Sequence, residues 1–237
     1  GCEGMAKATY GTGSSVMLFT GRQPVVSRHG LAATVAWGRN GQTYYGLEGN
    51  INYAGAVIEW LIHRAGLLTS ADEAEALALQ AAPADRTVFV PAFTGLGAPH
   101  WAPEMRAAIV GMGSTTGRAE IVRAAVDSIA YQVTDVLRAM AEDVGQPAAQ
   151  LFCDGGAVRN SYLMQRQSEL LRSVIRVAEN QDGSCAGAAK MAGEAAGLYG
   201  GDTVFGAWQR EYRPQQSAAW AEAEYDRWQS AVKQIKG

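Results

Sequence analysis

Cysteine is scarce in this sequence. Its 237 residues hold three, Cys2, Cys153 and Cys185, far apart, odd in number and without neighbouring histidines. That pattern offers neither a disulfide framework nor a zinc site. Histidine is equally sparse: His29, His63 and His100 lie in different segments at no motif spacing from a serine or cysteine, which argues against a hydrolytic triad and predicts surface or packing roles. An excess of charge of either sign is also missing. Twenty Lys and Arg against 23 Asp and Glu leave a formal charge of −3, so no electrostatic reason exists to expect nucleic acid. Apolar runs are broken by charge or glycine well before the roughly 18 residues of a membrane span, and no charged-then-apolar leader opens the chain. The chain starts at Gly1 rather than at methionine, and is expected to be a piece of something longer, from a reducing, cytoplasmic setting.

What is present is core. At 48% hydrophobic and 18% charged, a chain of this length buries a large interior as one domain or two small ones. The first fifty residues alternate β-rich runs, Ala6 to Tyr10, Ser15 to Thr20, Thr34 to Trp37 and Thr43 to Leu47, with glycine turns. Asn40-Gly41 is the signature of a two-residue hairpin, and the set predicts an antiparallel meander. From Ile51 to Arg64 the apolar period becomes helical, and a second short helix is predicted over Ser70 to Ala81. Strands over Thr87 to Val90 and Ala107 to Met112 bracket a Gly- and aromatic-rich loop, Phe93 to Trp101, that reads as a packed Ω-type connection or as a site lining.

The longest helix is predicted from about Arg118 to Asp143, where Ile121, Val122, Ala125, Ile129, Val133, Val136, Leu137 and Met140 form one apolar stripe ended by Gly145 and Pro147. Strand (Gln150 to Cys153), turn, helix (Val158 to Ser173), strand (Val174 to Ala178) and small-residue helix (Ser184 to Leu198) then make a βαβα unit with parallel strands. A last helix runs from about Gln216 to Ile235. Arg118, Arg123, Arg166 and Lys190 sit among acids on helices and are expected on solvated faces. No repeat or long linker interrupts the chain, so the fold class is α/β, a mixed sheet flanked by helices in one domain.

Three glycine-centred stretches are the candidates for chemistry. Gly11-Thr12-Gly13 forms a turn between strands whose backbone N–H groups and threonine hydroxyl suit either a tight hairpin or a cradle for phosphate. No lysine follows as in a P-loop, and no helix follows as in a dinucleotide fold. Asp154-Gly155-Gly156 joins a strand to a helix, where free N–H groups and the helix dipole suit an anionic ligand, or Asp154 simply caps the helix. Gly55 falls inside a predicted helix, at a cost of about 1 kcal/mol against alanine. It points to something flat lying there, with Glu59 one turn on, or to a close helix crossing. Cys185-Ala186-Gly187-Ala188-Ala189 supplies a thin face for close packing. No catalytic base is nominated by the residues alone.

These sites resemble, in order and spacing, the C-terminal half of the FGGY carbohydrate kinases, and among them the glycerol kinases most. The resemblance is carried by Gly4-Met5-Ala6-Lys7-Ala8-Thr9-Tyr10-Gly11-Thr12-Gly13, by Leu47-Glu48-Gly49, by Phe89 through Trp101, by Asp127-Ser128-Ile129-Ala130-Tyr131-Gln132, by Asp154-Gly155-Gly156 and by Gly187-Ala188-Ala189.

It implies a ribonuclease-H-like domain of the actin/Hsp70/hexokinase ATPase type, with residues 1–237 as the nucleotide-binding half facing an N-terminal substrate domain across a cleft. It implies ATP-dependent phosphorylation of a polyol or sugar hydroxyl, with ATP or ADP and Mg²⁺ as cofactors, this chain's own N-terminal domain as partner, and homo-dimers or tetramers. The alternatives are a kinase for erythritol or xylulose, and a non-catalytic nucleotide-binding module. By the family pattern Gly11, Thr12 and Gly13 meet phosphate, Gly55 and Glu59 lie beside base and ribose, and Gly155, Gly156 and Asn160 clamp the nucleotide. Glu59 stands where glutamine is commonest. The catalytic aspartate and metal ligands are implied upstream, outside this sequence. Ser15 stands where glycerol kinases place a substrate-packing phenylalanine.

Overall fold

The computed structural model describes residues 3–180, 182–200 and 208–237. In chain order the strands and helices are β1 (Met5–Tyr10), β2 (Ser14–Gly21), β3 (Ala32–Arg39), β4 (Gln42–Ile51), α1 (Gly55–His63), α2 (Glu73–Gln80), β5 (Val88–Val90), β6 (Ala108–Val110), α3 (Arg118–Val144), β7 (Gln150–Asp154), a 3-10 turn (Gly156–Arg159), α4 (Ser161–Leu171), β8 (Ile175–Ala178), α5 (Gly183–Ala195), β9 (Trp208–Tyr212) and α6 (Ala218–Lys236). Among the described residues the main sheet runs β3-β4-β2-β1-β7-β8-β9, with β5 and β6 paired apart from it. β1, β7 and β8 are parallel and the flanks antiparallel, the mixed α/β sheet that the strand and helix order predicts.

The predicted meander is corrected in one respect. β2 pairs with β4, not with β3, which lies outside β4 as the sheet's edge. The reason is burial: β4 carries Leu47 and Ile51 into the core, whereas β3 shows no buried residue and suits only an edge. The Asn40-Gly41 hairpin is as predicted, both residues taking positive φ (51° and 73°) between Arg39 and Gln42. β9 was not foreseen. Its one core-directed set is too short to read, and it forms as an antiparallel edge on β8.

Helix starts also shift. α1 begins at Gly55 and not at Ile51, since Ile51 completes β4. The predicted helix over Val158 to Ser173 divides into a 3-10 turn and α4, with Asn160 as the cap between them. The predicted last helix holds, as α6.

α3 is the post of the domain. Buried residues surround it from Ala124 to Leu137, not along one stripe, because the sheet, α2, α4 and β5 pack on its different sides. Each fully buried Ile or Val there contributes roughly 1.5–3 kcal/mol of transfer free energy. Polar residues on α3 reach α6. Asp135, 2% exposed, accepts bonds from His100 Nε2 (2.7 Å), Trp228 Nε1 (2.8 Å), Tyr225 OH (2.7 Å) and Gln229 Nε2 (2.6 Å). Trp228 is fully buried and stacks on Tyr131 at 5.3 Å.

Arg166 corrects another expectation: it is not on a solvated face. It is buried between α3 and α6, near Asp127 (3.2 Å), Tyr131 OH (2.8 Å) and Glu224. Burial pushes the Asp127 carboxyl up, against the lowering by Arg166. The loop Phe93 to Trp101 is a packed connection, Leu96 and Ala102 exchanging backbone bonds, and His100 is its anchor to Asp135. The small-residue face of α5 does not pack as predicted: Cys185 and Ala188 are exposed, and a Cβ on Gly187 would meet nothing within 4 Å. No described helix is long and apolar enough to cross a membrane.

Asp135→Ala leaves four donors without an acceptor, one of them on a fully buried Trp. It is expected to cost about 3 kcal/mol or more. Urea unfolding checks this, and a loss below about 1 kcal/mol would show that the cluster is not what holds α6.

Candidate functional site

A cleft of about 520 Å³ opens where β1, α1, α2, α3 and the β7–α4 junction converge. Its walls come from Tyr10, Gly11 and Thr12 at the end of β1, from Gly55, Ile58 and Glu59 on α1, from Ala71, Asp72, Ala74 and Glu75 at and before α2, from Val126 and Ile129 on α3, and from Gly156, Ala157, Arg159, Asn160 and Leu163. Six of the predicted site residues, Gly11, Thr12, Gly55, Glu59, Gly156 and Asn160, thus line one cavity although 149 positions separate the first from the last.

The joint that makes the cleft is backbone to backbone. Gly55 N–H donates to the Gly11 carbonyl (2.9 Å), and the Ala54 and Ala56 N–H groups donate to that of Thr12 (3.0 and 2.9 Å). The turn after β1 therefore caps α1, satisfying N–H groups that a helix start leaves open. A Cβ on Gly55 would stand 2.7 Å from Gly11 O. Gly55 is thus corrected from a mid-helix residue to a first-turn one, and the close neighbour that explains it is this strand turn.

Gly155 is the matching contact on the other side. Its φ is +95°, and a Cβ would lie 2.5 Å from Tyr10 O. Gly13 is likewise pressed on a backbone, 2.4 Å from Ile51 O to its would-be Cβ. Neither Gly155 nor Gly13 lines the cleft; both bring together the segments that do. Gly156 differs, because a Cβ there meets nothing within 4 Å and would project into open space.

At the start of α4 two backbone N–H groups are taken by protein acceptors. Asn160 Oδ1 accepts from Leu163 N (2.9 Å), and Glu75 Oε2 on α2 accepts from Ser161 N (3.0 Å). Both bonds lie beyond the 3-10 turn that Gly156 opens, to which no described side chain gives a cap bond, and at the Gly11-Thr12 turn Thr12 is exposed. Tyr10 is fully buried, donates to Gln167 Oε1 (2.9 Å), and burial pushes its hydroxyl well above the usual tyrosine range, which makes it a wall and not an acid. Carboxylates on the rim, Glu59, Asp72 and Glu75, come from α1, α2 and its cap, and the cation from Arg159.

Apolar Ile58, Val126, Ile129 and Leu163 form an interior suited to a flat ring, and the side-chain-free positions Gly11 and Gly156 leave room at the rim. These residues fit a nucleotide. The described residues bring no three metal-ligating side chains together, and no metal is assigned to them. Ser15 lies outside the cleft on β2, its Oγ donating to Glu48 Oε1 (2.9 Å).

Sequence reasoning missed Asp72, the cap of α2, Glu75 on its first turn, and Arg159. The pattern that held them was a helix face with no partner known.

The two kinds of glycine separate by stability alone. Gly55→Ala and Gly155→Ala are expected to lose about 1–3 kcal/mol each, and Gly156→Ala less than about 0.5 kcal/mol. Chemical unfolding of the three variants is the check; equal losses would contradict the assignment of the joint.

Residues 6–196 match the model of the FGGY family of carbohydrate kinases, C-terminal domain. Over its full length the chain is 43% identical to a glycerol kinase of Alkalilimnicola ehrlichii, of which it covers 48%, and 98% of it is 41% identical to one of Geobacillus kaustophilus, of which it covers 47%. The chain therefore spans about half the length of the curated relatives it matches. Its fold superposes on Plasmodium falciparum glycerol kinase, solved with ADP, with a TM-score of 0.90 at 30% identity, covering 98% of this chain and 47% of that one. A gluconate kinase of Lactobacillus acidophilus shares the fold at a TM-score of 0.85 and 19% identity, over 99% and 48% of the two chains. A family match spanning most of the residues, on a fold shared with its solved kinases, shows that this chain belongs to the FGGY family of carbohydrate kinases and carries that family's C-terminal domain.

Proposed function

We propose that this chain is the nucleotide-holding half of an ATP-dependent kinase acting on a hydroxyl of a polyol or sugar, glycerol first among them. In this reading an N-terminal domain outside the chain brings the substrate pocket, the Mg²⁺ ligands and the catalytic aspartate. The observation that carries it is the convergence of the Gly11-Thr12 turn, the Gly55 helix start and Gly156 on one cleft, in a domain whose fold superposes on a glycerol kinase solved with ADP.

When bound, the nucleotide supplies the phosphoryl group that a substrate hydroxyl accepts. This chain's part is placement. Thr12 offers its hydroxyl and backbone at the exposed turn, the apolar interior takes the base and excludes water, and Gly156 leaves the space that a side chain would fill. Glu59, exposed and paired with His63 at 3.1 Å, borders the base and ribose end. A second reading, a kinase for a four- or five-carbon polyol or ketose, is favoured by Ser15. It is a small hydroxylated residue bonded to Glu48, where an aromatic face would narrow the substrate space.

The chain alone is expected to bind ADP with a dissociation constant on the order of 100 µM or weaker, because the facing domain adds no contacts. Gly156→Val should remove that binding without unfolding the domain, and calorimetry with ADP tests both. Parental affinity in the variant would place the nucleotide elsewhere. In the complete kinase Ser15→Phe should shift kcat/KM toward glycerol and away from larger substrates by roughly ten- to a hundred-fold. An unchanged ratio would show that residue 15 does not shape the pocket.

A further inference from the structure

The rim of the cleft carries a cation with no partner among the described residues. Arg159 ends the 3-10 turn that starts at Gly156, lines the cleft and is exposed. Its guanidinium makes no hydrogen bond, ion pair or ring contact with any described residue. Nearby arginines are committed: Arg210 to Val158 O (3.0 Å) and Ser161 Oγ (3.1 Å), and Arg166 to the buried cluster with Asp127. None of the rim carboxylates is ion-paired with it: Glu59 bonds His63, Glu75 bonds Ser161 N, and Asp72 makes no ion pair with a described residue.

The cleft gives a flat ring apolar contacts from Ile58, Val126, Ile129 and Leu163 and, among the described residues, no exposed aromatic side chain to stack on. Among the described residues that line it, Tyr10 is the one aromatic, and it is fully buried. A guanidinium is planar, weakly hydrated and stacks on π faces. Phosphate is the less suitable partner for it, because Glu75 bonds Ser161, two residues away, and a carboxylate there repels an anion. The Gly11-Thr12 turn has no carboxylate of its own and is the better place for phosphates.

On the footing of the nucleotide reading above, we propose that Arg159 is a nucleotide-contacting residue that lays its guanidinium plane over the open face of the base.

The test is ligand-observed NMR titration of the chain with adenosine, ADP and tripolyphosphate, for the parent, Arg159→Ala and Arg159→Lys. Stacking predicts that both variants lose about three- to thirty-fold in affinity for adenosine and for ADP, while tripolyphosphate binds as in the parent, since lysine keeps the charge but not the plane. The inference is overturned if Arg159→Lys matches the parent with every ligand, if tripolyphosphate weakens along with ADP, or if neither variant changes adenosine. A parent that binds neither adenosine nor ADP overturns the nucleotide reading itself. A parent that binds both, with variants equal to it, overturns the stacking alone. Urea unfolding is expected to be the same for all three proteins, because the side chain has no partner to lose among the described residues.

Discussion

Everything around the cleft depends on one contact, the donation from the Gly55 N–H to the Gly11 carbonyl with no side chain between them. That contact joins the sheet to α1 at a distance only glycine permits. It also spends the first N–H groups of α1 on the strand turn, leaving the turn's own exposed edge toward the cavity. Gly155 makes a second close approach, to the Tyr10 backbone, so the end of β1 is flanked on both sides by backbone that leaves no room for a side chain. A ligand meeting this cavity meets walls already fixed in place, which is the condition for orientation without an entropic loss at binding.

The second constraint is the polar filling between α3 and α6. Asp135 gathers four donors from the loop after β5 and from α6, and Arg166 gathers Asp127, Tyr131 and Glu224. Buried polar groups of this kind are costly unless satisfied, and satisfied they define one packing. They fix the face of α3 opposite the one that offers Val126 and Ile129 to the cleft.

Much of this was legible in the sequence, and the failures have physical causes. Asn40-Gly41 and the α3 periodicity are local signals, and they gave the hairpin and the long helix correctly. Gly11 and Gly156 were legible as candidates because glycine just past a strand end is rarely neutral, and a family resemblance ordered them with Thr12 and Asn160. Gly55 was found for the wrong reason: periodicity extended α1 backward through Ile51, since an apolar strand end and an apolar helix start look alike. Arg166 was misplaced because a charge on a helix reads as solvated until its three partners, distant in sequence, are known. Asp72, Glu75 and Arg159 carry no motif, and only the meeting of α2 with α4 makes them neighbours.

The central claim is that segments far apart in the chain form one nucleotide site. The most direct measurement is the amide ¹H–¹⁵N spectrum of the chain as ADP is added. The account predicts that Thr12, Gly55, Gly156 and Asn160 shift together along a single binding curve, with β3 and α6 unmoved. Shifts confined to one of those segments, or centred on the exposed face of α5, would contradict it.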